Sequence, residues 1–285
     1  MVRKAVIPAA GLGTGFLPAT KAQPKEMLPI IDKPTIQYVV EEAVDSGIDD
    51  ILIIIGKGKR AIEDHFDRSH ELEMILENEP TMDLYNDVRR IGDMANIHFI
   101  RQKEMSGLGD AIYYAKQHIG DEPFAILLGD TIIDSVIPVT QQLIDLYEQY
   151  SQSLVAIESV PRERVGKYGI ISGNKVSDTI WHVTELVEKP KIKDTPSNLA
   201  IAGRYILTPE IFKAIEQTKP DKNKNIQLTE AMKILLKRQN IYAYIIEGKR
   251  YDLGNKMDYL KTIVDFALKR KEFSSEFKKF LKQKT

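Results

Sequence analysis

No cysteine occurs anywhere in the 285 residues. That excludes disulfides, thiolate metal sites and a cysteine nucleophile. Charge of one sign is also missing, since 40 Lys and Arg stand against 41 Asp and Glu, for a formal net charge of -1. This argues against a chain whose whole surface addresses nucleic acid or an anionic membrane, and leaves room for a local basic site. No apolar run approaches the roughly 18 to 20 residues that would cross a bilayer. The first eight residues, MVRKAVIP, are too short for the core of a signal peptide. A cytoplasmic protein is the expectation, with neither nucleic acid nor membrane as partner. Hydrophobic residues at 43% and charged residues at 28% suit a globular chain with a sizeable core. Its chemistry must come from carboxylates, lysines, hydroxyls, backbone groups or a bound metal.

Apolar and helical segments alternate through the first half. Ala5 to Pro8 reads as a short strand that stops at Ala9-Ala10-Gly11-Leu12-Gly13-Thr14-Gly15. A helix is expected over Pro34 to Ser46, with Asp32 as N-cap, Pro34 in the first turn and Gly47 just past the end. Ile51-Leu52-Ile53-Ile54-Ile55 is a continuous apolar run ending at Gly56, the pattern of a strand buried on both faces of a parallel sheet. Further helices are expected over Lys59–Phe66, Gly109–His118 and Leu143–Tyr150, and further strands over Ile97–Ile100, Phe124–Leu128 and Leu154–Val160. This alternation predicts an α/β fold with helices on both faces of the sheet, and ligands of such sheets gather beyond the carboxyl ends of the strands. Gly11-Leu12-Gly13 and Gly129-Asp130 both fall at such ends.

From about Tyr168 the strand-like pieces crowd together, at Tyr168–Ser172, Ile180–Val187 and Leu199–Leu207. Helical patterns follow at Pro209–Gln217 and Gln227–Arg238, then a strand at Ile241–Ile246 and a lysine-rich helical tail from Met257 to Lys284. No Pro/Gly/Ser-rich linker separates the halves, so the second half is expected to pack on the first sheet. The five histidines (65, 70, 98, 118 and 182) show no metal-ligand spacing, and Trp181 reads as packing.

The glycine-rich turn matches neither common phosphate fingerprint. In a dinucleotide-binding GxGxxG the third glycine falls where this chain has Phe16, and Pro18 and Pro24 obstruct the helix that should open there. No Gly-Lys-Ser/Thr follows for a Walker loop. What remains is a non-helical loop of small residues whose N–H groups can approach phosphates closely. Lys25 is held on a stiff segment between Pro24 and Pro29, suited to a fixed phosphate contact. A plain turn with solvated lysines is the other reading of the same spacing.

Pro8-Ala9-Ala10-Gly11-Leu12-Gly13-Thr14, with Phe16 through Pro29, closely resembles the bacterial UTP–glucose-1-phosphate uridylyltransferases. The pattern recurs at Arg101-Gln102-Lys103-Glu104, Gly107-Leu108-Gly109, Leu128-Gly129-Asp130, Lys167-Tyr168-Gly169, Val187-Glu188-Lys189-Pro190, Gly203-Arg204-Tyr205 and Tyr251-Asp252-Leu253-Gly254. The resemblance implies a Rossmann-like mixed, mostly parallel sheet flanked by helices, with a smaller mixed sugar-binding part and C-terminal helices. It implies a single nucleotidyltransferase domain, with a nucleotide-binding half over about 1–165, a sugar-binding half over about 166–255 and C-terminal helices over about 256–285. It also implies Mg²⁺ as cofactor, UTP and glucose 1-phosphate as substrates, UDP-glucose and pyrophosphate as products, and a homodimer or homotetramer. Such chemistry needs no protein nucleophile, because the sugar phosphate attacks the α-phosphorus itself.

By the same resemblance Ala10, Gly11 and Gly13 line the nucleotide pocket and Lys25 meets phosphate. Gln102 is the expected base reader, since a carboxamide offers donor and acceptor to the imide edge of uracil, and Gly107 packs close to the base. Asp130 is the expected metal ligand, with Asp252 as the second carboxylate. Gly169 and Glu188 resemble glucose contacts, and Lys189 the grip on the sugar phosphate. Read from the residues alone, Gln102 is an ordinary exposed glutamine, Asp130 is as readily a helix N-cap, Asp252 is a turn aspartate, and Glu188-Lys189 is a surface ion pair.

The chain departs from the family at a few positions. Gly15 stands where the family normally carries an arginine, and removing one such charge partner costs on the order of 3 to 4 kcal/mol. Asp110 stands where a histidine often follows the second glycine, Met105-Ser106 replaces a usual Pro-Leu, and Thr131 replaces a common second aspartate. Two alternatives therefore accompany the uridylyltransferase reading. One is a weakened paralogue that binds UDP-glucose, the other a thymidylyltransferase using dTTP.

Overall fold

The structure, a computed structural model, describes residues 1–77 and 82–284. In chain order the strands are β1 (Lys4–Ala9), β2 (Pro29–Ile30), β3 (Lys33–Pro34), β4 (Asp50–Ile55), β5 (Asn96–Arg101), β6 (Phe124–Leu127), β7 (Thr131–Asp134), β8 (Ser153–Ser159), β9 (Gly169–Lys175), β10 (Ile180–Glu188), β11 (Leu199–Leu207), β12 (Ile241–Ile245) and β13 (Lys249–Asp252). Nine of them form one sheet in the order β5-β4-β1-β6-β11-β8-β12-β10-β9. The pairings of β5, β4, β1 and β6 are parallel, as is β8 with β12. β11 runs against both β6 and β8, and β10 runs against β12 and β9. Only these two strands are reversed, so the sheet is mixed but mostly of one direction. It also continues from the first half of the sequence into the second.

The apolar run of β4 explains its central place. Its alternate residues feed two separate cores. Leu52 and Ile54 join the core under the helices Leu108–Tyr113, Glu210–Gln217 and Leu228–Leu236. Ile51, Ile53 and Ile55 join the core under Thr35–Asp45, Arg60–Phe66 and Val139–Tyr150. Each of these side chains is worth roughly 1.5 to 3 kcal/mol when taken fully out of water. The alternation of Ala5, Ile7 and Ala9 against Val6 in β1 follows the same logic.

Several local expectations are corrected. Asp32 is not an N-cap: Pro29–Ile30 and Lys33–Pro34 pair as a two-stranded ribbon, the helix begins at Thr35, and Asp32 bonds to Arg270 instead. Gly47 does follow the helix with a φ of 78°, a left-handed conformation that glycine adopts without penalty. The helix expected over Gly109–His118 is two pieces, Leu108–Tyr113 and Lys116–Ile119, and the tail is also two, Lys256–Lys269 and Ser274–Lys282. Among the described residues no helix is long and apolar enough to cross a membrane.

Candidate active site

The chain leaves the carboxyl ends of β1, β5 and β6 on one side of the sheet, as the strand directions require. Ala10 and Gly11 follow β1, Gln102 follows β5, and Gly129-Asp130 follows β6. Ala10, Gly11, Lys25, Gln102, Gly107 and Asp130 line one cavity of about 490 Å³. A second, of about 270 Å³, is lined by Asp130, Gly169, Glu188, Lys189 and Asp252. Asp130, Leu108 and Leu128 belong to both walls. The two hollows therefore meet at one carboxylate.

The loop after β1 is shaped by Lys25. Gly13 has a φ of 65°, and its hydrogens sit where a Cβ would come within 3.0 Å of Lys25 Cβ. A Cβ on Gly11 would reach 3.8 Å from Lys25 Cε. Gly13 thus lets the loop wrap the lysine stem, but it lines neither cavity, in contrast to its expected place in the pocket wall. The Pro24–Leu28 segment turns through two backbone bonds, Met27 N to Pro24 O and Leu28 N to Lys25 O. This turn aims the ammonium of Lys25 at Asp130 Oδ2, with which it is hydrogen-bonded and ion-paired. Burial alone would push the Asp130 carboxyl up, but the charge of Lys25 and its hydrogen bond outweigh it and hold the group below its usual range. Burial likewise works against the Lys25 ammonium, yet Asp130, Glu26 and Asp252 together raise it.

Asp130 is not a helix N-cap, because β7 follows it directly. Its placement rests on Arg204, which the sequence pattern contained without a role. Arg204 is fully buried, holds Glu42 through two bonds of 2.9 and 2.7 Å, and donates to the Thr131 carbonyl at 2.8 Å. Glu42 also accepts from the backbone N–H and hydroxyl of Thr140. A second buried pair, Lys59 on Glu26 at 2.7 Å, stands behind Lys25. Burial raises the Glu26 carboxyl despite both lysines. Neither pair leaves a sequence signal, because each joins segments far apart in the chain.

Register places the remaining groups. β13 pairs with β7 so that Asp252 faces Thr131, and Leu253 N donates to Asp130 O at 3.1 Å. Asp252 accepts from Gly254 N and from the Tyr168 hydroxyl, each at 3.0 Å. It is a turn aspartate and a cavity carboxylate at once. β9 and β10 pair so that Gly169 faces Glu188. Glu188 Oε2 accepts from Thr229 Oγ1 at 2.7 Å, and Lys189 Nζ lies 3.3 Å from Glu188 Oε1. The ion pair is real, but it lines the cavity. Lys189 sits at a φ of 45°, a strained backbone that often marks functional positions. Arg250, packed over the Tyr168 ring at 4.2 Å and bonded to Glu158 at 2.6 Å, adds a cation to the same wall.

Gln102 is 4% exposed, so it is no surface glutamine. Its Nε2 donates to Asp110 Oδ2 at 2.7 Å. Gly107 has a φ of 95°, and a Cβ there would lie 2.6 Å from the Ile226 carbonyl oxygen. The space denied to a side chain is thus filled by the Ile226 backbone and Asn225 Cβ. That backbone is tied to the loop by Gly109 N to Ile226 O at 2.8 Å and Ile226 N to Ser106 O at 2.7 Å.

At Gly15 a Cβ would lie 2.8 Å from the Gly254 carbonyl oxygen. The absent arginine therefore coincides with a backbone contact onto the turn that carries Asp252. Trp181 packs on the core, and its Nε1 has no hydrogen-bond partner among the described residues. His98 and His118 do come together with Asp50, with ligand-type atoms within 4.8 Å. They lie at the opposite end of the strands, where Asp50 and His98 share a hollow with Arg3 and Lys4. The donors of the two cavities that meet at Asp130 are of a different kind. Asp130 and Asp252 supply hard carboxylate oxygens, and no imidazole is among the described lining residues. Such a set fits a hard divalent cation held together with phosphate oxygens.

Residues 4–268 match the Nucleotidyl transferase family. The chain is 53% identical over 282 residues to the UTP–glucose-1-phosphate uridylyltransferase of Staphylococcus epidermidis, covering 99% of this chain and 98% of that one. It is 51% identical to that of Bacillus subtilis, covering 98% and 96%. A crystal structure of apo UDP-glucose pyrophosphorylase superposes with a TM-score of 0.91 at 45% identity, over 95% of this chain and all of that one. A UTP-bound relative from Acinetobacter baumannii superposes with a TM-score of 0.90 at 36% identity, over 99% of each chain. Taken with the two cavities joined at Asp130, these likenesses settle the family: the chain belongs to the bacterial UTP–glucose-1-phosphate uridylyltransferases, within the nucleotidyl transferases.

Proposed function

We propose that this enzyme makes UDP-glucose and pyrophosphate from UTP and glucose 1-phosphate. The observation that carries the assignment is the shared carboxylate: a nucleotide in one cavity and a sugar phosphate in the other have their phosphates at Asp130. A sugar-phosphate oxygen attacks the α-phosphorus, one P–O bond forms, and the bond to the pyrophosphate breaks. The two substrates are anions that repel each other. Holding them in line supplies roughly 7 to 11 kcal/mol of the barrier reduction. Lys25, fixed by its turn, faces the triphosphate and neutralises charge that grows on the leaving group. To do so it exchanges Asp130 for phosphate. Lys189 and Arg250 draw the sugar phosphate, and Glu188, oriented by Thr229, accepts from glucose hydroxyls. Gln102 reads the imide edge of uracil from the far end of the nucleotide cavity. Mg²⁺, held by Asp130 and Asp252, would supply Lewis-acid stabilisation of phosphate oxygens when bound.

The test is pyrophosphate release by purified protein with UTP, glucose 1-phosphate and Mg²⁺, each omitted in turn, with UDP-glucose identified as product. Absence of both products under the complete condition overturns the assignment. Replacing UTP by dTTP measures the thymidylyl alternative. The bases differ by one methyl, worth only about 1 to 3 kcal/mol in discrimination. UDP-glucose binding without turnover would support the weakened paralogue.

A further inference from the structure

Asp110 lies in the first turn of the helix Leu108–Tyr113, beside the nucleotide cavity but outside its described lining. Its Oδ2 accepts from Gln102 Nε2 at 2.7 Å. A carboxylate can only accept, so it can face only the NH₂ end of a carboxamide. The flip of Gln102 is thereby decided by chemistry. Its Oε1 is left for the cavity, and among the described residues no protein group donates to that oxygen. The backbone N–H of Gln102 is tied to Ile55 O at 2.8 Å. Residue and side chain are therefore both fixed before a base arrives.

We infer that Asp110 is a positioning residue that sets base specificity by locking the Gln102 amide with its oxygen toward the base. The inference rests on the uridylyltransferase reading and deepens it. Uracil presents an N3–H, which Oε1 accepts. Cytosine presents a bare N3 lone pair, which Oε1 repels. A flipped amide would invert that preference by offering N–H to the base. The lock therefore selects an imide edge over an amidine edge. It has no purchase on the 5-methyl group, so it excludes CTP and leaves dTTP untouched.

The competing role is structural: an acidic residue in the first turn of a helix stabilises that turn. That role predicts equal losses with every base. The two are separated by the ratio of kcat/KM for UTP to that for CTP, measured in the wild type, Asp110→Asn and Asp110→Ala. An asparagine accepts or donates equally well, so the amide of Gln102 is then held in this sense only by its long 3.5 Å bond from Nε2 to the Gly107 carbonyl. The ratio should fall about tenfold in Asp110→Asn, the scale of one net hydrogen bond. The dTTP to UTP ratio should not move. In a Gln102→Ala background the same Asp110 substitution should leave the UTP to CTP ratio unchanged, which isolates the pair. An unchanged ratio in Asp110→Asn, with both substrates weakened alike, overturns the inference. If the wild type turns over no nucleotide, the reaction assignment fails instead. Calorimetric binding of UDP against CDP then decides the lock: loss of the UDP preference in Asp110→Asn supports it, and equal binding by the wild type refutes it.

Discussion

The nucleotide cavity is walled mainly by backbone and small apolar groups, with Lys25 as its chief cation, whereas charged side chains wall the sugar cavity. In the first, Pro8, Ala10, Gly11 and Gly107 let a ligand approach main-chain atoms. In the second, Lys167, Lys189 and Arg250 face Asp130, Glu188 and Asp252. The contrast follows from the ligands. A triphosphate and a flat base are bound by N–H groups and close surfaces. A hexose offers hydroxyls that need acceptors and donors in fixed directions, and strands β9 and β10 supply these in register. On the proposed function, selectivity for the base then depends on backbone shape and one amide, and selectivity for the sugar on side-chain chemistry.

The sharpest way to break this division is at the seam. Asp130→Asn should lower kcat/KM for both substrates on the order of a thousandfold, since it removes a charge that both cavities use. Pyrophosphate release measures it, and a loss confined to one substrate would show that the cavities do not share the group. Lys25→Met should cost on the order of a hundredfold in kcat and raise the KM for UTP more than that for glucose 1-phosphate. Glu188→Gln should do the converse, raising the KM for glucose 1-phosphate about tenfold, the loss of a charge-assisted hydrogen bond. Gly15→Arg tests the contact between the two halves. Its Cβ would stand 2.8 Å from Gly254 O, and such overpacking costs about 1 to 3 kcal/mol. A lowered melting temperature with no gain in kcat is expected; a faster enzyme would show that the missing arginine alone limits the rate.

The smallest effect is in the pH dependence of stability. The Asp130 carboxyl lies below its ordinary 3.8 in the folded state, so its contribution is present above that value and is lost as the pH falls through the folded pKa. The Lys25 ammonium is raised above 10.5, so its contribution holds below 10.5 and is lost as the pH climbs through the raised value. Glu26, raised above 4.5, contributes stability below 4.5 that is lost as the pH rises through its folded pKa. Urea melts of Lys25→Met should show no alkaline loss from this group, and a shallower acid decline where Asp130 titrates.

The elements with continuous apolar runs were legible in the sequence, because β4 and β6 have no other stable place than the middle of a sheet. The loop with Lys25 and the strand-end Asp130 were legible for the same reason, since strand direction puts both on one side. The ribbon of β7 and β13 was not, because strands of four residues carry little periodicity. Nor were Arg204–Glu42 and Lys59–Glu26, whose partners meet only after the sheet has formed. Gln102 was legible as a residue, but not its bond to Asp110. That bond depends on a helix beginning at Leu108, which turns residue 110 back toward β5. Gly107 was legible as a glycine, but the crowding of its absent Cβ by Ile226 was not.

The tie between Ser106–Gly109 and Ile226 has one more effect. Three residues beyond Ile226, Thr229 holds the sugar-site Glu188. A wall of the cavity proposed for the nucleotide and the support of Glu188 in the cavity proposed for the sugar are thus opposite ends of a single short lever. A bulkier or smaller residue at 226 would tilt both ends, so the Michaelis constants for the two substrates should drift together although that side chain reacts with neither.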